Sequence, residues 1–394
     1  MTLANGRTYL AIPGPSVMPE RVIRAMMRAA PNIYHGELPD MMPGLIRDLK
    51  AVARTRHHAA MYICNGHGVW EAALANVLSP GDRVLVASTG HFAHGWAEVA
   101  RSLGIQAEIL EFGTRAPVDP DRLRQRLLQD GNETIRAVLV VQTDTATGIR
   151  SDVSAIRQAI DAAGHDALLM VDSIACLGCD RRVVDAWGVD VLLTGSQKRL
   201  MTPTCLGFLF DNEKADRRRD DAKAVSYYWD WRTRTTPEVF YRYFAGTAPT
   251  HHLHALREAL DMIGEEGIEA IWRRHEILAS AVWAAFDHWG QDGPLELNAT
   301  DPAFRSHAVT GIRAGSDKAT ALRAWCEERA GLILGIGLGM EPSDHFFRLG
   351  HMGHVNAQMV LGALATIEAG LKAVGIPHRG GAVEEAAAII ADRA

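Results

Sequence analysis

The stretch "VLLTGSQKRL", residues 191–200, decides how this chain is read. Its apolar half has the length and character of a buried strand, and it ends in Gly195, Ser196 and Gln197 before presenting Lys198. A lysine behind a buried strand is common on protein surfaces. Burying one is costly, because its ammonium must shed water. Whether Lys198 is a surface residue or a working one therefore depends on what the neighbouring strands bring to the same edge.

Five further apolar runs surround it in sequence: residues 82–88 ("DRVLVAS"), 106–112 ("QAEILEF"), 136–143 ("RAVLVVQT"), 167–173 ("ALLMVDS") and 205–210 ("CLGFLF"). Between them lie amphipathic runs at 68–78, 95–104, 119–130 and 152–164, the last two opening on Asp119 and Asp152 as N-caps. This alternation predicts an α/β fold with a largely parallel sheet covered on both faces. Ligands of such sheets bind beyond the carboxyl ends of the strands. Those ends are chemically rich here: Asn65-Gly66-His67-Gly68, Thr89-Gly90-His91-Phe92, a run from Thr143 through Asp144 and Thr145 to Gly148, Asp172-Ser173, and Gln197-Lys198. Past residue 250, two long helical patterns (251–267 and 268–290) lead to short strands at 307–313, 332–337 and 346–352, a smaller α+β unit. The expected division is an N-terminal arm over 1–16, a large domain over 17–255 and a small domain over 256–394.

Bulk composition removes several function classes. The 394 residues are 47% apolar and 22% charged with a net charge of −6, an ordinary balance that gives no polyanion-binding surface. The one basic run, Arg217 to Arg219, is bracketed by Asp216, Asp220 and Asp221 and reads as a solvated helix face, so no nucleic-acid partner is expected. No continuous apolar run has the length of a membrane helix, and the first residues lack a signal-peptide core. Five cysteines give no disulfide framework, and "CLGC" (176–179) lacks a second pair, so no metal is expected and the cytoplasm is the expected compartment. A dinucleotide is disfavoured because no GxGxxG follows the first strand.

The strand-end groups suit a pyridoxal cofactor. A lysine of lowered pKa forms a Schiff base with an aldehyde, and the pyridine ring needs a carboxylate, a phosphate cup, an aromatic face and a group for the substrate carboxylate. Asp172 suits the first need, although it also reads as a turn residue. The start of the helix at Gly66, His67 and Gly68 suits the second, through its free N–H groups and dipole. Phe92 could face the ring or belong to the core. Arg348 could fork a carboxylate.

With "PGPS" (13–16), "NGHG" (65–68), "DTATG" (144–148), "VDSIACLG" (171–178), "GSQK" (195–198), "RHEILA" (274–279) and "FRLGHMG" (347–353), the chain resembles the class V, fold-type I aminotransferases, in the alanine–glyoxylate and serine–glyoxylate group. The resemblance spans nearly the whole chain. It implies pyridoxal 5′-phosphate on Lys198, Asp172 at the ring nitrogen, and Gly66, His67, Gly68 and Gln197 at the phosphate. It further implies Phe92 on the ring and Thr145 near its hydroxyl. Thr247 would be donated to the phosphate by the partner of a homodimer with shared active sites. Arg348 and backbone near Gly14 would hold the substrate carboxylate. The implied activity is ping-pong transfer of an amino group from alanine, serine or aspartate to glyoxylate or pyruvate. Rivals within the same resemblance are a transaminase of free pyridoxamine with pyruvate, and a lyase or desulfurase that would need Cys326 on a mobile loop. Gln142, Thr204, Cys205, Phe244 and the triplet Tyr34-His35-Gly36 depart from the family pattern and bear on which donor fits.

Overall fold

The computed structural model describes residues 2–181 and 184–394. Its larger sheet has seven strands in the order His58–Ile63, Leu206–Asp211, Val191–Gly195, Leu168–Asp172, Ile135–Val141, Arg83–Ser88, Gln106–Glu111. Leu206–Asp211 runs antiparallel to both neighbours and the remaining pairs are parallel. The predicted strands at 82–88, 106–112, 136–143, 167–173 and 205–210 all form, with ends within two residues of those expected, and the apolar half of 191–200 forms the strand Val191–Gly195. The helices between them form too, and Asp119 and Asp152 cap theirs by accepting backbone N–H groups inside the first turn.

The sheet is buried on both faces, which is why its strands read as continuous apolar runs. Side chains alternate between two cores. Leu85, Val138, Val140, Leu169, Val171, Leu192 and Phe208 pack on one side. Val84, Val86, Leu139, Met170, Leu193 and Leu209 pack on the other, together with Trp70 and Trp96 from the covering helices. After Arg83–Ser88 the chain adds Gln106–Glu111 on one side and then returns to build Ile135–Val141 on the other. That reversal opens a crevice at the carboxyl edge.

A second sheet takes the order Tyr9–Ala11, Leu332–Ile336, Phe346–Gly350, Val309–Arg313, Glu296–Leu297. The strand Tyr9–Ala11 pairs parallel with Leu332–Ile336, so the N-terminal segment is anchored in this sheet before it crosses to the first. Phe286, Trp289, Leu322, Phe347, Leu364 and Ile367 form the core beneath it. The helix Ala357–Val374 has the length and mean hydropathy of a membrane span, but Gln358, Glu368 and Lys372 interrupt it, so it is not a continuous apolar run. It packs against Ala319–Ala330 and buries Leu364, Ile367 and Leu371. The basic run sits at the end of the helix Glu213–Arg218, where Arg218 pairs with Asp166 and Arg219 with Asp230. The residues after 380 form the helix Ala382–Arg393, packed on Ile268–Trp289.

Candidate active site

Parallel strands all end at one edge, so the residues that follow them converge. A cavity of about 260 Å³ at that edge is lined by Gly14, Gly66, His67, Phe92, Thr145, Asp172, Gln197 and Lys198. Eight of the eleven site residues read from the sequence therefore meet in one place. Trp70, Asn65, Thr143, Ile174 and Thr204 join them. Thr204, one of the departures from the family pattern, thus touches the cavity directly.

Lys198 is held at its mouth by the N-terminal segment. The lysine ammonium donates to the Pro13 carbonyl. Ser16 Oγ donates to the Lys198 carbonyl at 2.5 Å, and the Ser16 N–H donates to the Gln197 carbonyl at 2.8 Å. Gly14 has φ of +94°, and a Cβ there would lie 2.5 Å from Lys198 Cδ and 2.6 Å from Nζ. Only glycine leaves room for the lysine. Desolvation, with the nearby Arg348 charge, lowers the Lys198 pKa from 10.5 to about 8, partly offset by Asp172. At neutral pH this raises the share of uncharged, nucleophilic amine by about two orders of magnitude over an ordinary lysine.

Asp172 closes the strand Leu168–Asp172 and is 4% exposed. Its Oδ1 accepts the Ile174 N–H at 2.7 Å and its Oδ2 accepts Trp70 Nε1–H at 2.7 Å. Burial pushes its pKa up from 3.8 to about 6 against the pull of those two bonds. Trp70 went unread as a site residue because in sequence it is one apolar position of a buried helix. Its one signal is its place four residues after Gly66, on the same face at the helix start.

The helix Gly66–Val77 opens into the cavity. Asn65 caps it by accepting the Gly68 N–H at 3.2 Å, so Gly68 is spent on the cap and does not line the cavity. The N–H groups of Gly66 and His67 have no carbonyl one turn earlier to bind, and both residues line the cavity. Such a terminus is an anion site. An amine of lowered pKa, a buried carboxylate and this helix start together fit the aldehyde, the ring nitrogen and the phosphate of a pyridoxal cofactor. Phe92 lines the wall with its ring centroid 6.3 Å from that of Trp70.

Arg348 stands on the strand Phe346–Gly350 between Gly311 and Gly335, two glycines that give its backbone room. It is 7% exposed and lies just outside the lining. Its Nη1 donates to the Thr145 carbonyl at 2.9 Å and its Nε to the Ile336 carbonyl at 2.6 Å. Thr247 is exposed and does not reach the cavity of its own chain. Phe244 is buried beside Phe240 and Tyr243, away from the cavity. Gln142 accepts from Ser173 Oγ at 3.2 Å and so braces the segment after Asp172. Cys326 is fully buried inside the helix Ala319–Ala330, with its thiol pushed up to about 12 by desolvation. That is an interior position and offers no mobile-loop cysteine.

The fold and this cavity define a pyridoxal-phosphate enzyme of fold type I. More narrowly, the chain belongs to the class-V aminotransferase family, whose model matches residues 64–337. It is 37% identical over 380 residues to the serine–glyoxylate aminotransferase of Methylorubrum extorquens, covering 94% of this chain and 92% of that one. It is 36% identical over 378 residues to the serine–glyoxylate aminotransferase of Arabidopsis thaliana, covering 94% and 92%. Among solved structures, ureidoglycine–glyoxylate aminotransferase from Bacillus subtilis superposes with a TM-score of 0.88 at 25% identity, covering 98% of this chain and 99% of that one.

Proposed function

We propose that this enzyme moves the amino group of serine to glyoxylate in two half-reactions, working as a homodimer. One observation carries the carboxylate-substrate reading. The charge of Arg348 is buried beside the lysine, and among the described residues its hydrogen bonds go to neutral carbonyls. A buried guanidinium without a bonded carboxylate is costly. A substrate carboxylate completes it.

When bound, pyridoxal 5′-phosphate supplies an electron sink for charge that develops at the substrate α-carbon. Asp172, fixed by Trp70 and Ile174, holds the proton on the ring nitrogen. Lys198 Nζ takes the proton from the α-carbon and returns it on the far side of the transfer, a role its lowered pKa favours. The N–H groups of Gly66 and His67, with Gln197, hold the phosphate. Phe92 walls the ring. Thr247 serves the partner's phosphate, which accounts for its exposure in a single chain, and Val239 and Tyr241, 44% and 47% exposed, lie on the same segment. The choice of serine and glyoxylate follows the two curated relatives.

The test is a half-reaction panel on purified holoenzyme. Serine, alanine, aspartate and free pyridoxamine are mixed in turn, and the loss of the cofactor's visible absorbance is followed. Glyoxylate or pyruvate is then added to restore it. Serine with glyoxylate should be fastest, and Lys198→Ala should abolish the change. Turnover of pyridoxamine with pyruvate, independent of added pyridoxal phosphate, would replace this reading with the free-vitamin one.

A further inference from the structure

Asp144 has no assigned role above, yet it is 0% exposed and sits between two parts of the site. Its Oδ2 accepts the Phe92 N–H at 2.9 Å. Its Oδ1 accepts the Ala146 N–H at 2.8 Å. Phe92 lies in the first turn of the helix His91–Ser102, whose own N-cap, Gly90, has no side chain to offer. A Cβ on Gly90 would fall 2.7 Å from Asp144 Cγ, so that glycine is what lets the carboxylate in. The cap is thus supplied from a neighbouring strand end. The other oxygen pins the turn after Thr145, and it is the Thr145 carbonyl that receives Arg348 Nη1 at 2.9 Å. The titratable and charged groups around the carboxylate are His91, Arg348 and Asp172.

We infer that Asp144 is a positioning residue that couples the ring-facing Phe92 to the carboxylate-binding Arg348, holding the two at a fixed separation across the cavity. The inference rests on the proposed role of Arg348. A single buried acceptor with one bond to each side transmits any displacement of one to the other. Each of its oxygens accepts a backbone N–H, so an amide cannot replace it: one end of Asn would present N–H to N–H.

The test is Asp144→Asn in the holoenzyme, alone and combined with Arg348→Lys. Asp144→Asn should raise KM for both the amino donor and the oxo acid by about tenfold or more, and should change the circular dichroism of the bound cofactor through Phe92. Combined with Arg348→Lys, it should add little to the larger single effect, because both act on one clamp. A purely structural role would lower Tm, leave KM unchanged in the folded fraction, and give effects that multiply. Asp144→Glu keeps the charge and displaces both bonds by a methylene, so it should raise KM even if the Asn variant does not fold. An unchanged KM in either folded variant, with Arg348→Lys still raising it, overturns the coupling alone. An unchanged KM in Arg348→Lys overturns the coupling and the Arg348 assignment together.

Discussion

Replacing Asp172 by Asn separates what the carboxylate does for the cofactor from what it costs the chain. In the cofactor-free protein the Asp172 pKa is raised from 3.8 to about 6, chiefly by burial. The folded chain therefore keeps a proton that the unfolded chain has lost between these values. Stability from this group is full below pH 3.8 and falls as pH rises through 6. The whole loss is about 3 kcal/mol at 1.36 kcal/mol per pH unit, of which about 1.3 kcal/mol falls between pH 5 and 7. Asn does not titrate, so the stability of Asp172→Asn relative to wild type should improve by about 1.3 kcal/mol from pH 5 to pH 7. Part of any absolute gain is cancelled at both pH values, because the amide satisfies only one of Trp70 Nε1–H and Ile174 N–H, and the orphan costs about 1–3 kcal/mol. Urea titrations of the cofactor-free proteins at the two pH values measure the difference. Cofactor affinity should move the other way. Losing a charge-assisted bond worth about 1.5–3 kcal/mol weakens pyridoxal phosphate binding by roughly 10- to 150-fold. A stability gap equal at pH 5 and 7 would show that Asp172 is not desolvated as described, and an unchanged cofactor Kd would remove it from the ring nitrogen.

Two further substitutions probe the supports of the site. Gly14→Ala places a methyl group within 2.7 Å of three Lys198 side-chain atoms at a φ of +94°, so it should lower Tm modestly, by about 1–2 kcal/mol of backbone strain, and should sharply reduce capture of added pyridoxal phosphate; wild-type capture monitored by absorbance would refute the contact. Trp70→Phe removes the 2.7 Å donor to Asp172 Oδ2, which raises the carboxyl pKa further, so the pH below which the cofactor is released should move upward; a midpoint that stays put would mean the indole bond does not hold the charge.

The strand ends were legible because topology does the work that spacing cannot. Once strand and helix alternate, a parallel sheet forces residues 65–68, 89–92, 143–148, 172 and 197–198 to one edge, whatever their separation in sequence, and glycines, a carboxylate and a lysine there have few structural duties. The supports were not legible for the opposite reason. Trp70 and Asp144 each look like what surrounds them, an apolar helix position and one acidic residue of a polar turn. Their roles exist only in contacts made across the fold, the indole to Asp172 102 residues away and the carboxylate to the Phe92 N–H 52 residues away. Gly14 is intermediate: the resemblance implies backbone near it at the substrate carboxylate, and only the crossing of the N-terminal strand from the second sheet shows that Lys198 needs the space.

The same distinction bears on donor choice. The residues that bring the lysine, the carboxylate and the helix start together are fixed by the sheet, so they define the class and say little about the substrate. The departures divide once placed. Phe244 lies in an aromatic cluster and Gln142 braces Ser173, so neither meets a ligand in its own chain. Thr204 lines the same cavity as Lys198. It is a small polar residue on a loop outside the strands. A wall that can change without disturbing the sheet is where selection among small amino donors can act while the chemistry at Lys198 stays constant.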